Sequence, residues 1–254
     1  MRIVRYQSGD GATYGMIEDD AVYALHGDVF GPCNVGRRVA SLEDVRVLAP
    51  CVPSKILAVG RNYVEHAHET QNDVPEEPLL FIKPPTTVIA HLDPIVYPVL
   101  SQRVDHEGEL AVIIGRRCRS VEPAQARDYI FGYTCANDVT ARDLQRKDGQ
   151  WTRGKGFDTF LPLGPYIQTD FHWPNASLQT RLNGQVRQNG QLKDMVFKVD
   201  FLISFVSQVM TLLPGDVLLT GTPAGIGPMQ PGDVVEVEIS GIGTLRNHVI
   251  AAKH

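Results

Sequence analysis

The stretch Val104-Asp105-His106-Glu107-Gly108-Glu109-Leu110-Ala111-Val112-Ile113-Ile114-Gly115 decides how this chain is read. Its second half is a continuous apolar run of the kind found in a strand buried on both faces. If Glu107 and Glu109 share that strand, a period of two turns both carboxylates to one face. Side by side they repel. Two readings follow. The pair lines a solvated strand face, or a divalent cation sits between them. His106 has the opposite parity and reads as structural.

Working outward, Asp138 closes the run Phe131-Gly132-Tyr133-Thr134-Cys135-Ala136-Asn137, a second strand. It is either a strand-end cap or the third ligand. Three carboxylates suit Mg²⁺ or Mn²⁺ better than Zn²⁺, which favours His and Cys. An octahedral ion held this way keeps about three positions for substrate and water.

Further strands are expected at 56–59, 79–82, 107–114, 130–136, 166–169, 178–182, 217–220 and 234–239. Asn183-Gly184 between apolar runs signals a two-residue hairpin, since both tolerate positive φ. Pro214-Gly215-Asp216 and Pro231-Gly232-Asp233 read as tight turns. Val199, Leu202, Ile203, Val206, Met210 and Leu213 recur at helical steps, with Pro214 as the stop. A helix after Asn62 carries Tyr63, His66 and Glu69, and another is expected at 123–129. Residues 1–30 alternate as a short β-meander with turns at 9–11 and 18–20. Residues 31–50 carry Gly and Pro with room for a short helix. A boundary near 50–53 divides a small N-terminal β-domain, 1–50, from a catalytic domain, 51–254.

The 254 residues are 43% hydrophobic, enough to bury a sizeable core. The formal net charge is −5 and the pI about 5.9, with no long basic block. Nucleic acid and anionic membrane surfaces are therefore poor partners. The four cysteines are widely spaced with no CxxC pair, which reads as reduced thiols in a cytoplasmic protein. The N-terminus lacks an apolar signal segment, and no apolar run approaches a membrane span.

Several stretches together resemble the fumarylacetoacetate hydrolase superfamily, in its short bacterial and mitochondrial forms. They are Gly60-Arg61-Asn62-Tyr63-Val64-Glu65-His66-Ala67-His68-Glu69, Phe81-Ile82-Lys83-Pro84, Glu107-Gly108-Glu109-Leu110-Ala111-Val112, Asn137-Asp138-Val139-Thr140-Ala141-Arg142-Asp143-Leu144-Gln145, Trp151-Thr152-Arg153-Gly154-Lys155-Gly156-Phe157-Asp158 and Leu219-Thr220-Gly221-Thr222-Pro223-Ala224-Gly225-Ile226-Gly227. They span roughly 55–250 in family order.

The resemblance implies an α+β, β-rich fold: a mixed β-sandwich roll with short helices around one Mg²⁺ or Mn²⁺ per chain, usually in a homodimer. It implies that Glu107, Glu109 and Asp138 bind the metal. His66 and Glu69 match the family's lid element, with His66 as general base and Glu69 as its orienter. Lys155 is placed at the metal, where an ammonium stabilises enolate or carboxylate charge. Members hydrolyse acylpyruvates, decarboxylate oxaloacetate or 5-oxopent-3-ene-1,2,5-tricarboxylate, or isomerise 2-hydroxyhepta-2,4-diene-1,7-dioate. All work through a metal-held enolate of a 2-oxo or 2-hydroxy-enoate acid. Residues 1–50 look like the small N-terminal domain of some bacterial members of the last group.

The expectation is C–C hydrolysis or decarboxylation, with the isomerase or tricarboxylate decarboxylase branch as the alternative. Arg142 and Gln145, three apart, either bind the distal end of the substrate, position water, or are surface polar residues. Lys83 supports a glutamate of the site or forms a plain structural salt bridge. Thr222 donates a hydrogen bond to the substrate carboxylate from a backbone nest, sits in a tight inter-strand turn, or both. A metallo-phosphoesterase would need more histidine ligands than the eight scattered ones provide. A decayed binding protein would have lost a carboxylate or Lys155.

Overall fold

The computed structural model describes residues 1–9 and 11–252. Asp10, in the expected turn at 9–11, lies outside the described residues. The fold is a mixed β-sandwich roll with few, short helices. The largest sheet runs in the order Cys33–Ser41, Ala21–Gly27, Gly11–Glu18, Arg2–Ser8, Leu161–Gln168, Ile130–Asn137, Gly108–Ile114, Val217–Leu219, Ile56–Gly60, Leu79–Lys83. A five-stranded sheet follows the order Gln185–Gln191, Ser177–Leu182, Val234–Ile239, Gly243–Ala251, Pro94–Tyr97. A small third sheet joins Thr140–Ala141, Val104–His106 and Gly227–Met229.

The Gly108–Ile114 strand is buried at every position, because two cores meet on it. Leu110, Val112 and Ile114 join Leu178, Val237 and Leu245 of the five-stranded sheet and Val199, Leu202, Ile203 and Val206 of the Val199–Val209 helix. Ala111 and Ile113 point the other way, among Ile56, Leu163, Val217 and, from the N-terminal meander, Leu25 and Val29. Burying each larger aliphatic side chain contributes about 1.5–3 kcal/mol. The first residues thus share a core with the rest, and Ile3 pairs with Ile167 across the sheet.

The hairpin at Asn183 and Gly184 forms as expected, with φ of 52° and 77°. Three expectations are corrected. Residues 31–50 hold the nine-residue strand Cys33–Ser41, and Leu42–Asp44 is a single 3-10 turn. That strand is largely exposed, so it carries no apolar periodicity and is held by its backbone ladder to Ala21–Gly27. The long helix stops at Val209, five residues before Pro214. Beyond it Met210 is extended, and Leu212 exchanges backbone hydrogen bonds with Cys118, both 3.0 Å. The segment Pro123–Tyr129 is 3-10 rather than α.

All four cysteines are free. Among the described residues no helix is long and apolar enough to cross a membrane.

Candidate metal centre

Glu107 lies at a corner. Val104–His106 belongs to the small sheet and Gly108–Ile114 to the large one, and the chain changes sheet at Glu107. The Asn137 side chain accepts from the Glu107 N–H at 2.9 Å, and the Asp138 N–H donates to the Glu107 carbonyl at 2.8 Å. These two bonds bring the end of one strand to the start of its neighbour. Carboxylate oxygens of Glu107, Glu109 and Asp138 consequently lie within 4.8 Å of one another, and all three residues are buried.

Cations surround them. Lys155 Nζ donates to Glu107 Oε2 at 2.6 Å and also to Asp138 Oδ2. Lys83, fully buried, donates to Asp138 Oδ1 at 2.6 Å. Of the two alternatives for Lys83, support of a site glutamate or a plain salt bridge, the structure gives an ion pair with Asp138. Arg142 is held on three sides, by Asp105 at 2.9 Å, by Gln145 Oε1 at 2.6 Å and by Glu107 Oε1. Burial pushes Glu107 up, but Lys155 and Arg142 outweigh it and hold it well below the carboxylate range. Lys155 is raised: burial opposes its charge, but Asp138 and Glu107 more than compensate. Lys83 is lowered, because burial outweighs Asp138 and Lys155 repels it.

Glu109 differs. Among the described residues its one hydrogen bond is from the Gly221 N–H, at 2.7 Å to Oε2. Burial first, then the negative charges of Asp138 and Glu107, raise it well above its ordinary range. Four buried carboxylates (Asp105, Glu107, Glu109, Asp138) meet the buried cations Lys83, Arg142 and Lys155 and the more exposed Arg103, which pairs with Asp105 at 2.9 Å. Among the described residues, Glu109 alone of the four has no cation in salt-bridge contact. The residues fit a hard divalent cation. An octahedral ion with oxygens at about 2.1 Å spaces them roughly 3 Å apart when adjacent and roughly 4.2 Å when opposite, and a dication removes the repulsion.

The carboxylates open into a cleft of about 360 Å³ whose lining includes His66, Arg142, Gln145, Lys155 and Thr222. His66 sits in the Val64–Glu69 helix, with Nδ1 3.3 Å from Glu69 Oε2. Glu69 Oε1 accepts the Gly225 N–H at 3.0 Å. Burial raises Glu69, but the bonds from His66 and Gly225 prevail and leave it lowered. Thr222 Oγ1 donates to the Gly108 carbonyl at 2.8 Å and accepts from Gln188 Nε2 at 2.7 Å. His106 is fully buried, with Nδ1 3.3 Å from Gln188 Oε1.

Sequence reasoning gave no separate role to Arg61, Arg146, Trp151 or Asp105. Arg61 adopts a left-handed φ of 57° with its guanidinium 6.0 Å from the Trp151 ring centre. An arginine in that region is unusual, and no local pattern announces it. Asp105 was legible only as a charge next to the glutamates; that it anchors Arg142 needs the fold.

The family model "Fumarylacetoacetate (FAA) hydrolase C-terminal" matches residues 55–250, and a second, "Rv2993c-like, N-terminal", matches residues 1–50. Human mitochondrial oxaloacetate tautomerase FAHD2A is 43% identical over 223 residues, covering 82% of this chain and 70% of the human one. The crystal structure of 2-hydroxyhepta-2,4-diene-1,7-dioate isomerase from Mycobacterium marinum superposes with a TM-score of 0.93 at 44% identity, covering 100% of both chains. Maleylpyruvate hydrolase from Sphingobium sp. SYK-6, solved with manganese(II) and pyruvate, gives a TM-score of 0.82 at 30% identity, again over 100% of both. With the matched stretches in order and the acidic triad assembled, the chain belongs to the fumarylacetoacetate hydrolase family.

Proposed function

We propose that this chain is a divalent-metal-dependent enzyme that moves a proton on and off the carbon beside the keto group of a small 2-oxo acid, through its enolate. One observation carries the reading. Glu107, Glu109 and Asp138 converge within 4.8 Å in a buried cleft that also takes in His66. When bound, one Mg²⁺ or Mn²⁺ ion per chain held by that triad supplies Lewis-acid polarisation of the substrate's carboxylate and keto oxygens. The manganese and pyruvate in the Sphingobium relative support this.

The chain's own residues supply the rest. With His66 Nδ1 turned to Glu69, Nε2 is the nitrogen left to take or return a proton in the cleft. Lys155 presents an ammonium where negative charge develops. Arg142 is occupied by Asp105, Glu107 and Gln145, so its task is to orient Glu107 rather than to hold the distal end of a substrate. Gln145 keeps its amide nitrogen for that end. Arg61 and Arg146, cleft cations without a carboxylate partner among the described residues, suit a second carboxylate. Thr222 spends its hydroxyl hydrogen on Gly108, so it supports the metal-binding turn from below.

The tautomerase and isomerase relatives favour proton transfer on a dicarboxylic 2-oxo acid such as oxaloacetate. A second reading is hydrolysis of an acylpyruvate C–C bond or decarboxylation of oxaloacetate. The anchored His66–Glu69 pair favours it, because that geometry activates water. We further read the protein as a homodimer, with residues 1–50 a small N-terminal unit.

The test is a substrate panel of oxaloacetate, acetylpyruvate and 2-hydroxyhepta-2,4-diene-1,7-dioate, with Mg²⁺ or Mn²⁺ and again with chelator. The highest kcat/KM is expected for oxaloacetate tautomerisation, and it vanishes with chelator. Absence of metal-dependent turnover on the whole panel would sink the reading. His66→Ala should cut oxaloacetate tautomerisation by about 10²–10⁴; tautomerisation near wild type would remove His66 as the proton carrier.

A further inference from the structure

Gln185–Gln191 is an edge strand whose side chains are almost all solvated, and Gln188 is its only buried residue. A strand position facing the interior is ordinarily apolar. Here it is a glutamine with no solvent exposure and four hydrogen bonds. Gln188 Oε1 accepts the Gly108 N–H at 2.9 Å and faces His106 Nδ1 at 3.3 Å. Gln188 Nε2 donates to Thr222 Oγ1 at 2.7 Å and to the Pro223 carbonyl at 2.8 Å. The amide's full capacity is used.

These partners are not scattered. Gly108 is the residue between Glu107 and Glu109. Its N–H is held by Gln188 and its carbonyl by Thr222, and those two side chains bond each other. The N–H belongs to the Glu107–Gly108 peptide and the carbonyl to the Gly108–Glu109 peptide, so the ring holds both peptide planes between the two ligand glutamates. The same loop, 220–225, gives the Gly221 N–H to Glu109 and the Gly225 N–H to Glu69. It lies directly on the strand that carries Gln188. A Cβ on Gly225 would come within 2.0 Å of the Arg187 carbonyl oxygen, and one on Gly190 within 2.7 Å of Pro223 Cβ. Neither the loop nor the strand can shift without the other.

We propose that Gln188 is a positioning residue that fixes the Glu107–Glu109 pair and the His66–Glu69 pair against each other through the 220–225 loop. This rests on the metal-site reading above. Gln188 touches neither ion nor substrate. It acts on the Glu107–Gly108 peptide directly, on the Gly108–Glu109 peptide through Thr222, and on the loop that anchors Glu69.

The experiment compares wild type, Gln188→Met and Leu178→Ala as full-length proteins. Gln188→Met keeps length and bulk and removes every hydrogen bond. Leu178→Ala lowers stability through the core without touching the ring. Mn²⁺ alone is titrated without substrate and followed by water-proton relaxation. Gln188→Met should bind Mn²⁺ about 10–100-fold more weakly. At saturating Mn²⁺ its kcat should remain at least about tenfold low, with KM within about threefold. Leu178→Ala should bind Mn²⁺ like wild type. If Gln188→Met does not fold, Thr222→Val cuts the same ring at the hydroxyl and is read by the same titration. Mn²⁺ affinity within about threefold of wild type in the folded variant, or a loss matched by Leu178→Ala, overturns the proposal. Failure of wild type to bind Mn²⁺ would instead overturn the metal site itself, and this proposal with it.

Discussion

Two buried carboxylates sit at opposite ends of one antiparallel strand pair. Asp216 precedes the Val217–Leu219 strand, and Glu109 lies in Gly108–Ile114, which pairs with it. Asp216 is saturated. Its Oδ1 accepts the Ser54 N–H at 3.1 Å, the Ser54 hydroxyl at 2.6 Å and the Lys55 N–H at 3.1 Å. Its Oδ2 accepts the Leu213 N–H at 2.8 Å and the Lys55 ammonium. Glu109, equally buried, accepts one backbone N–H and faces two other carboxylates. The first arrangement stabilises the fold without further help. The second costs stability until a cation arrives. Burial alone therefore does not distinguish the two acids; the number of donors each is given does.

The comparison breaks most visibly under substitution. Glu109→Gln should lower kcat/KM by at least about 10³, on the scale of removing a principal electrostatic stabiliser, while Tm holds or rises because the repulsion is gone. Loss of folding together with activity would make Glu109 another Asp216. Asp216→Asn should do the reverse. It should cost about 2–4 kcal/mol in denaturant unfolding, somewhat below a fully buried pair because Lys55 is partly exposed, and leave kcat per folded molecule near wild type. A kcat drop without destabilisation would contradict the assignment.

A smaller effect sharpens the contrast. Burial and the negative charges of Asp138 and Glu107 raise Glu109, so a dication binding there competes with a proton. Metal affinity should therefore climb with pH, by at most about tenfold per unit for one proton, and level off once Glu109 is ionised. Titration calorimetry in buffers of different ionisation enthalpy measures the proton released. A pH-independent affinity with no proton release would show that Glu109 is already ionised before the metal binds.

Much of this was legible from the chain alone, for identifiable reasons. Glu107, Glu109 and Asp138 stand beside strongly apolar runs, so both strands and their acidic ends could be located. Asn183-Gly184 carries its turn in its own conformational preferences. What escaped depends on partners distant in sequence. Cys33–Ser41 is a solvated edge strand without alternation. Gly243–Ala251 turns Asn247 inward among Leu245 and Val249, where it bonds the Ala90 and Asp93 carbonyls, so its pattern looks broken. Gln188 is indistinguishable locally from the glutamines at 185 and 191. The duty of Arg142 appears only when Asp105 and Glu107 are brought to it.

The corner at Glu107 has a mechanical meaning. A ligand acid placed where the chain leaves one sheet for another registers any shear between those sheets as a change in spacing from its companions. Loads on the Val104–His106 ribbon, or a tightened grip on the cleft, are therefore felt at the far end of the other. The spacing of the acidic triad is a property of how two sheets are bolted together, and on the proposed reading remote substitutions that loosen that joint should lower activity without touching the cleft.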